Sequence, residues 1–303
     1  MISRVQYKSL TWVDLYNPTR EDIGVLVRDF KIHKQIAEEL SNPTERSKVE
    51  PYKNELYMIL HFPIYDHRLN GTKSYEIDFV IGKDFLVTTH YEEITPLVEY
   101  MERFRNTQGD IEEKMLHGGF ILFHLLRHLY RSHGDDLRKM ELELATIEDY
   151  IFAGKHKDMV SRIGEANHTI LDFKRALKMH KTTLASLETA GTEFFGSDFS
   201  YYLDVITGEF YKIWNVAEDG KELLDDLQKT NDSLLTTHTN EIIKNLTVMA
   251  FITFPLMLIA SIFGMNTEHT PIIGRTADFW IVILVMLVGM LLMLFWFKYK
   301  KWL

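Results

Sequence analysis

Cysteine is absent from this 303-residue sequence. A disulfide framework and a thiolate metal site are therefore both excluded, and the redox compartment stays open. Basic residues are outnumbered as well, because 34 lysines and arginines stand against 43 aspartates and glutamates, which gives a formal net charge of −9. An acidic balance of this kind argues against nucleic acid as a partner.

Charge is missing from two long stretches toward the C-terminal end. Residues 246–263 read LTVMAFITFPLMLIASIF and residues 279–297 read FWIVILVMLVGMLLMLFWF, without an acidic or basic side chain in either. As helices, both are long enough to cross a bilayer core of about 30 Å. The sequence therefore predicts two membrane-spanning helices, TM1 at about 246–264 and TM2 at 279–297, joined by an external loop at 267–278.

The residues that flank these stretches predict the orientation in the membrane. Lys244 precedes the first stretch, and three lysines follow the second in a basic tail at 298–303, whereas the intervening loop holds a single arginine. Basic residues next to short spans favour the cytoplasmic side. The opening residues, MISRVQYKSL, also lack the apolar run of a signal peptide. We expect a multi-pass protein of the cell membrane with both termini in the cytoplasm.

The first 106 residues mix strand-like and helical patterns. Strands are predicted in SRVQYKSLTWVDL, ELYMILHFPIY and SYEIDFVIGKDFLVTTH, with a turn at Asn70 and Gly71, and helical segments follow Pro18 and Ile32. This combination predicts an α+β cytoplasmic domain at 1–106, with a mixed or antiparallel sheet and flanking helices.

Long helices are predicted after residue 111, where the strand signals stop and heptad-like charged patterns begin. Glycine-containing breaks at 153–155 and 196–198 divide them. We expect a cytoplasmic long-helix region at 107–197 and then a stalk helix at 198–266 that continues into TM1, with no proline before Pro255. Such a helix is on the order of 100 Å long and needs partners on its own chain or on further copies.

The tripeptide Gly264-Met265-Asn266 ends the first apolar stretch, in the string FGMNTE, and the chain closes with FKYKKWL. Farther upstream, ERSKVE at 45–50 is followed by LYMILHFPIYD and GKDFLVTTH. Together with the long helix and the two terminal spans, these motifs resemble the CorA family of magnesium and divalent-cation transporters. The resemblance implies a homopentamer in the lipid bilayer, with the first spans around a pore and the second spans outside them.

One face of the helix that leads to the tripeptide carries no ionisable side chain. The resemblance makes this face the pore lining, with Leu246 favoured over Thr247 at a narrow apolar gate that closes by dewetting. A lipid-facing or packing stripe is the alternative interpretation. Counted back from Asn266 at helical spacings of three and four, the face comprises Ser261, Met257, Phe254, Ala250, Thr247, Ile243 and Asn240.

The resemblance also implies roles at the outer mouth of the pore. Five Asn266 amides would accept hydrogen bonds from the water shell of Mg²⁺, an ion that dehydrates reluctantly. Gly264 is expected to let the backbone turn where the helix ends, and Met265 to hold that turn by packing. Glu268 in the external loop would concentrate cations.

A regulatory Mg²⁺ site in the cytoplasm is a further implication of the resemblance. Glu38 and Glu39 match an acidic pair that, in the family, binds Mg²⁺ with an aspartate on the long helix of the adjacent subunit. Counting from TNEIIK places that aspartate at Lys229, or at Gln228 with a shift of one residue. We favour a direct ion pair from Lys229, called here the lysine lock, over a shifted metal site. Candidate acids for such a shifted site are Asp204, Asp225, Asp226 and Asp232.

These features predict a pentameric channel that passes hydrated Mg²⁺, and with it Co²⁺ or Ni²⁺. A zinc transporter of the same superfamily and a non-conducting membrane-anchored sensor stay open as alternatives. His124 and His128 have a spacing typical of zinc ligands, but the corresponding segment of the family is structural. An enzyme is not expected, because the sequence shows no nucleophile, triad or phosphate-cradling glycine loop.

Overall fold

The computed structural model describes residues 2–66, 71–106, 117–265, 274, 277–300 and 302. The chain divides into two compact units, Met1–Gln228 and Lys229–Leu303. The predicted α+β region and the long-helix region after it lie together in the first unit, whereas both apolar stretches lie in the second.

A six-stranded mixed sheet forms the centre of the first unit, in the order β1-β2-β6-β5-β4-β3. Neighbouring strands are antiparallel except β2 and β6, which are parallel. The mixed sheet confirms the prediction from sequence. The strands are β1 (Ile2–Tyr7), β2 (Leu10–Tyr16), β3 (Lys48–Pro51), β4 (Glu55–Asp66), β5 (Gly71–Gly82) and β6 (Phe85–His90).

The first predicted strand, SRVQYKSLTWVDL, is a hairpin rather than one strand. β1 pairs with β2 in antiparallel register, and Lys8 between them has a φ of 50°. A single non-glycine residue in this left-handed region is tolerated in tight turns. The hairpin contains no glycine, proline or asparagine that would have marked the turn in the sequence.

Both faces of the sheet are covered by helices. Trp12 and Val13 are neighbours on β2, and since successive side chains of a strand point to opposite faces, they enter two different hydrophobic clusters. The Val13 cluster includes Ile23 and Ile36 of the two short helices that follow β2. The Trp12 cluster includes residues from the helices that follow the sheet. The sheet therefore lies between two helical layers.

Eight helices and one short 3₁₀ turn are present in the described residues. The predicted breaks at 153–155 and 196–198 are confirmed, and Gly154 and Gly196 have φ values of 83° and 97°, which favour glycine. The helices are α1 (Arg20–Phe30), α2 (Lys34–Glu39), α3 (Thr95–Asn106), α4 (Gly118–Phe152), α5 (His156–Leu177), α6 (His180–Phe195), α7 (Ser200–Phe263) and α8 (Asp278–Tyr299), with the 3₁₀ turn at Ser197–Phe199.

A further break separates α5 from α6, where the sequence predicts none. The ring of His180, at the start of α6, is fully buried. Its Nδ1 lies 2.9 Å from the Tyr130 hydroxyl and its Nε2 lies 2.7 Å from the His61 carbonyl. Burial lowers the pKa of His180 to about 3, so the ring is neutral, with Nε2 donating to the carbonyl. These contacts with distant parts of the chain fix where α6 begins.

The second unit contains the two predicted membrane spans. The apolar end of α7 and the whole of α8 are long and apolar enough to cross a membrane, and only 6% of the most apolar window of α7 and none of that of α8 is buried within the single chain. Phe251 of α7 lies near Phe297 of α8, with ring centroids 6.4 Å apart, and Trp302 stacks on Phe297 at 5.9 Å. Apolar surface of this extent requires lipid or further copies of the chain to cover it.

Candidate functional site

One face of the apolar part of α7 is partly covered within its own chain. Val248 on this face is buried, with 3% of its surface exposed. Phe251, beside it, is the residue that lies near Phe297 of α8. Residues three and four apart share a helix face, so five half-buried residues form one stripe with Val248. They are Ile252, Pro255, Leu256, Ile259 and Phe263. Thr247 and Ala250 are also half-buried, but they lie on the opposite side of the helix.

The predicted pore-lining residues lie on the opposite side of α7. At about 100° per residue, seven of them lie within about 50° of the direction opposite the covered face, and Asn240 deviates by about 70°. Leu246, Phe254 and Met257 are each more than 60% exposed on the single chain. The structure therefore leaves most of this face, apart from the half-buried Thr247 and Ala250, open for contact with further copies of the chain or with solvent.

Leu246 and Thr247 differ in what they present to this face. The Thr247 hydroxyl donates a hydrogen bond to the Ile243 carbonyl at 2.7 Å. A threonine bonded back to its own helix has its hydroxyl engaged with the backbone. Leu246 is 61% exposed and projects from the helix as an apolar side chain. Leu246 therefore presents an apolar side chain to this face, whereas the polar group of Thr247 is bonded to its own helix.

α7 ends at Phe263, and Gly264 and Met265 follow it as a turn and a bend. The Gly264 N–H donates to the Ala260 carbonyl at 2.9 Å, and Gly264 is not among the residues with positive φ. A Cβ atom at this position would lie 3.1 Å from the Ala260 carbonyl oxygen, a close contact within the last turn of the helix. Met265 is 56% exposed and does not pack into the described part of the chain. Asn266 and Glu268 lie outside the described residues.

A lysine already occupies the predicted regulatory site at Glu39. The Lys48 ammonium lies 2.7 Å from a Glu39 carboxylate oxygen and 2.9 Å from a Glu50 oxygen. Burial alone would lower the pKa of Lys48, but the two carboxylates outweigh it and raise the pKa. Glu38 is different, because its carboxylate is exposed and pairs only loosely with Lys34, at 3.7 Å.

Lys48 and Glu50 are functional candidates that the reasoning from sequence missed. They alternate along β3 and therefore point to the same side of the strand. The Tyr52 hydroxyl donates to Glu50 at 3.1 Å. The signal was present in ERSKVE, where the alternation of a base and an acid on a strand indicates an ion pair. A cavity of about 490 Å³ adjoins these groups and is lined by Gln35, Glu38, Glu39, Glu50, Pro51 and Tyr52.

The acids predicted on the long helix have separate surroundings. Asp225 pairs with Lys221 one turn earlier, and Asp204 is exposed. Asp226 and Lys229 each interact with another group. Within the described part of the first unit, neither Asp204 nor Asp225 forms a hydrogen bond or an ion pair with Glu38 or Glu39. The predicted regulatory site draws on the adjacent subunit, so these contacts within one chain leave it a prediction.

The histidines with zinc-like spacing are packing residues in this structure. The His124 ring contacts the rings of Phe120 and Phe123, with centroids 4.3 and 4.8 Å away. His128 packs on Tyr100 at 5.1 Å. Burial lowers the pKa of both imidazoles. No group of three or more histidine, aspartate or glutamate side chains that could hold a metal ion occurs among the residues that the structure describes.

Comparison with known proteins gives consistent matches along the chain. The model of the family described as CorA-like Mg²⁺ transporter protein matches residues 7–300. A cobalt/magnesium transport protein CorA from Thermotoga maritima is 26% identical over 97% of this chain and 83% of its own length. One from Methanocaldococcus jannaschii is 23% identical over 97% of this chain and 91% of its own.

A solved structure agrees with the fold. The complete CorA magnesium transporter from Methanocaldococcus jannaschii superimposes with a TM-score of 0.85 and 22% sequence identity, covering 99% of this chain and 94% of that one. At this level of identity the likeness shows the fold alone. The shared fold comprises the mixed sheet, the long helix and the two C-terminal apolar helices.

Proposed function

Because the chain belongs to the CorA-like Mg²⁺ transporter family, we propose that it forms a homopentameric channel that passes hydrated Mg²⁺ across the cell membrane. The observation that carries the proposal is the stripe on α7 that faces away from its partly covered side. This stripe is uncharged from Asn240 to Ser261, and it leads to Gly264-Met265-Asn266. Five such stripes facing one axis would line a pore without a fixed charge.

The exposure of the apolar helices supports assembly in a bilayer. α8 is apolar on all sides, with half or more of the surface of Trp280, Leu284 and Leu292 exposed. A helix that is apolar all round suits the lipid-facing outer position. α7, with one covered and one open face, suits the inner position. The lysines before the first span and after the second support a cytoplasmic position for both termini.

Selection at the outer mouth is assigned to Asn266 and Glu268. Mg²⁺ gives up its water shell reluctantly and commonly keeps several waters when bound. A ring of Asn266 amide oxygens would accept hydrogen bonds from that shell without the strong attraction of a carboxylate, which would retain the ion. Glu268 would raise the local cation concentration at the entrance.

The apolar neck is assigned to Leu246 and its neighbours on the stripe. A narrow hydrophobic constriction excludes water when closed, and a hydrated cation cannot cross a dry segment. Opening requires the neck to widen and fill with water. Inward flow is then driven by the membrane potential, which contributes about 4.6 kcal/mol for a divalent ion at 100 mV.

For gating, we favour the lysine lock over a regulatory metal site. Lys48 already supplies a cation to Glu39, so that Mg²⁺ at this carboxylate would have to displace or adjoin an ammonium group. Glu38 is the acid left for a partner from the adjacent subunit, Lys229. Lys229→Asp is then expected to make closure depend strongly on cytoplasmic Mg²⁺. Steep closure by Mg²⁺ in the unmodified protein, lost on replacing Asp225 and Asp226 by alanine, would overturn the lysine lock.

Ion uptake into liposomes tests the proposed function. Purified protein is reconstituted, an inside-negative potential is imposed, and the uptake of Mg²⁺, Co²⁺ and Zn²⁺ is followed with internal indicators. Potential-driven Mg²⁺ uptake is expected, with Co²⁺ also passing. Uptake of Zn²⁺ in strong preference to Mg²⁺ would indicate a zinc transporter, and no uptake of any of these ions would indicate a non-conducting membrane protein.

A further inference from the structure

Another cavity of the first unit lies beyond the end of β6. The last residue pair between β5 and β6 is Ile77 with His90, and β5 extends past this pair. The cavity has a volume of about 620 Å³, which is typical of small-molecule sites in proteins. The loop before β3, the strands β4 and β5, the residues after β6 and the end of α5 all contribute to its lining. Its charged and aromatic lining includes Glu45, Glu76, Glu92, Arg175, Tyr75 and Tyr91.

Glu76 is a buried member of this lining. Only 5% of its side chain is exposed. Its Oε2 accepts a hydrogen bond from the Thr44 N–H at 2.6 Å and lies 3.5 Å from the His61 Nε2. Its Oε1 is shielded and has no hydrogen-bond partner among the residues that the structure describes. A buried carboxylate oxygen without a partner raises the free energy of the folded chain, so a hydrogen-bond donor at Oε1 would stabilise the protein.

The imidazole next to Glu76 does not supply this donor. The His61 Nε2 donates to the Thr44 carbonyl at 2.8 Å. The Nδ1 of the same ring lies 2.9 Å from the Ser47 hydroxyl. Both nitrogens of His61 are therefore engaged with the loop before β3.

Two further donors of the lining are also engaged elsewhere. The Tyr91 hydroxyl donates to the Asp78 carboxylate at 3.2 Å. The Arg175 guanidinium, 77% exposed, pairs with Asp172 one turn earlier on α5 at 3.2 Å. A donor for the Glu76 Oε1 is therefore most readily supplied by a bound molecule.

The chemistry of the lining favours an organic cation. Three glutamates line the cavity against a single arginine, and this balance attracts positive charge. Tyr75 and Tyr91 add aromatic rings, whose faces attract ammonium groups. Within the described ranges, no group of three or more histidine, aspartate or glutamate side chains could hold a metal ion. An ammonium group, which has three donors and requires only acceptors, suits this lining better.

We propose that this cavity binds a small organic amine, whose ammonium group donates to the Glu76 Oε1 and whose hydrocarbon part packs on the tyrosine rings. The bound amine contacts the loop before β3, the strand β5 and the end of α5, and so connects segments that are far apart in the sequence. The inference concerns the first unit and does not depend on the proposed pore.

Calorimetric titration of the purified full-length protein in detergent tests this proposal. Butylamine, diaminobutane and spermidine are titrated separately, with butanediol as the uncharged analogue of diaminobutane. We expect at least one amine to bind and butanediol not to bind. Absence of binding by all three amines would overturn the proposal, and so would binding of butanediol as tight as that of diaminobutane.

A charge-neutralising variant tests the role of Glu76. Glu76→Gln keeps an acceptor for the Thr44 N–H but removes the charge, so the affinity for the amine is expected to fall about tenfold or more. Glu188→Gln makes the same chemical change at an exposed position of α6, and its affinity should stay within about twofold of that of the unmodified protein. Equal affinities of Glu76→Gln and the unmodified protein would show that the amine does not bind at Glu76.

Two further variants keep the test decisive if Glu76→Gln does not fold. Arg175→Gln removes a positive charge from the lining and should strengthen amine binding about two- to fivefold, a gain that a purely structural role would not produce. Ser74→Trp, at an exposed position of β5 in the same lining, should fill the cavity and abolish binding. Weaker binding by Arg175→Gln or undiminished binding by Ser74→Trp contradicts the proposal.

Titration with Mg²⁺ alone separates an amine site from a metal site. If Glu76→Gln loses a Mg²⁺-binding event that Glu188→Gln retains, the cavity holds a metal ion and the amine assignment is wrong. If both variants bind Mg²⁺ as the unmodified protein does, while only Glu76→Gln loses the amine, the proposal is supported.

Discussion

The ammonium group of Lys48 on β3 lies 2.7 Å from a carboxylate oxygen of Glu39 on α2. The same ammonium lies 2.9 Å from Glu50. The Lys48 side chain is 20% exposed and forms ion pairs with both acids. The family resemblance implies a metal ion at this position. The chain therefore carries its own cation at this position.

Removing this built-in cation is expected to make the site sensitive to Mg²⁺. In Lys48→Gln, the carboxylates of Glu39 and Glu50 lose their shared partner, so the protein should be less stable without Mg²⁺ and should gain stability as Mg²⁺ is added. Thermal unfolding in detergent at increasing Mg²⁺ measures this. Lys34→Gln, at an 88% exposed lysine that pairs loosely with Glu38, is the control. An equal response to Mg²⁺ in both variants would show that Lys48 does not occupy a cation site.

Opening the apolar neck is expected to raise ion flux. Leu246→Gly removes the side chain that projects from the stripe, so the neck should be wider and wetter and Mg²⁺ uptake faster. Met249→Gly is the control, because it carries the same intrinsic helix penalty of about 1 kcal/mol but changes a residue that lies off the stripe. Mg²⁺ uptake by this variant should stay near that of the unmodified protein. Slower uptake by well-assembled Leu246→Gly would place the gate elsewhere.

A buried histidine makes the stability of the first unit depend on pH. His133 is 1% exposed, stacks on Phe62 with ring centroids 5.6 Å apart, and has no hydrogen-bond partner at either nitrogen among the described residues. Although Asp136 lies 4.0 Å away, burial lowers the pKa of His133 from 6.5 to about 4. Below pH 6.5 this histidine is protonated in the unfolded chain but stays neutral in the folded chain. The free energy of unfolding therefore falls as the pH drops toward 4.

His133→Phe is expected to raise the free energy of unfolding by about 1 to 3 kcal/mol, because it removes two unpaired polar atoms from the core. It should also reduce the loss of stability between pH 7 and pH 5. Thermal unfolding at both pH values measures the two effects. His180→Phe is the contrasting variant, since it removes the bonds to Tyr130 and His61 and should destabilise the protein. A His133→Phe variant less stable than the unmodified protein at pH 5 would contradict this account.

The membrane helices and the stripe on α7 could be predicted because their signals are local. Absence of charge marks both spans, and helical spacing alone identifies which residues share a face. The helix breaks at Gly154 and Gly196 were predictable for the same reason, since glycine suits the left-handed conformation found at each. These features can be predicted without knowledge of the rest of the fold.

The break before His180 and the ion pairs of Lys48 could not be predicted in this way. His180 is held by Tyr130 and by the His61 carbonyl, both far away in sequence. Lys48 meets Glu39 only because β3 and α2 are brought together by the folded sheet.

The most direct test of the hydrated-cation pore is Mg²⁺ uptake by liposomes that contain Asn266→Ala, compared with the unmodified protein at equal reconstituted amounts. The amide ring is proposed to contact the water shell of the ion, so the variant should assemble as a pentamer and yet lose Mg²⁺ uptake. Uptake by the pentameric variant at the rate of the unmodified protein would contradict the assignment of the Gly264-Met265-Asn266 filter.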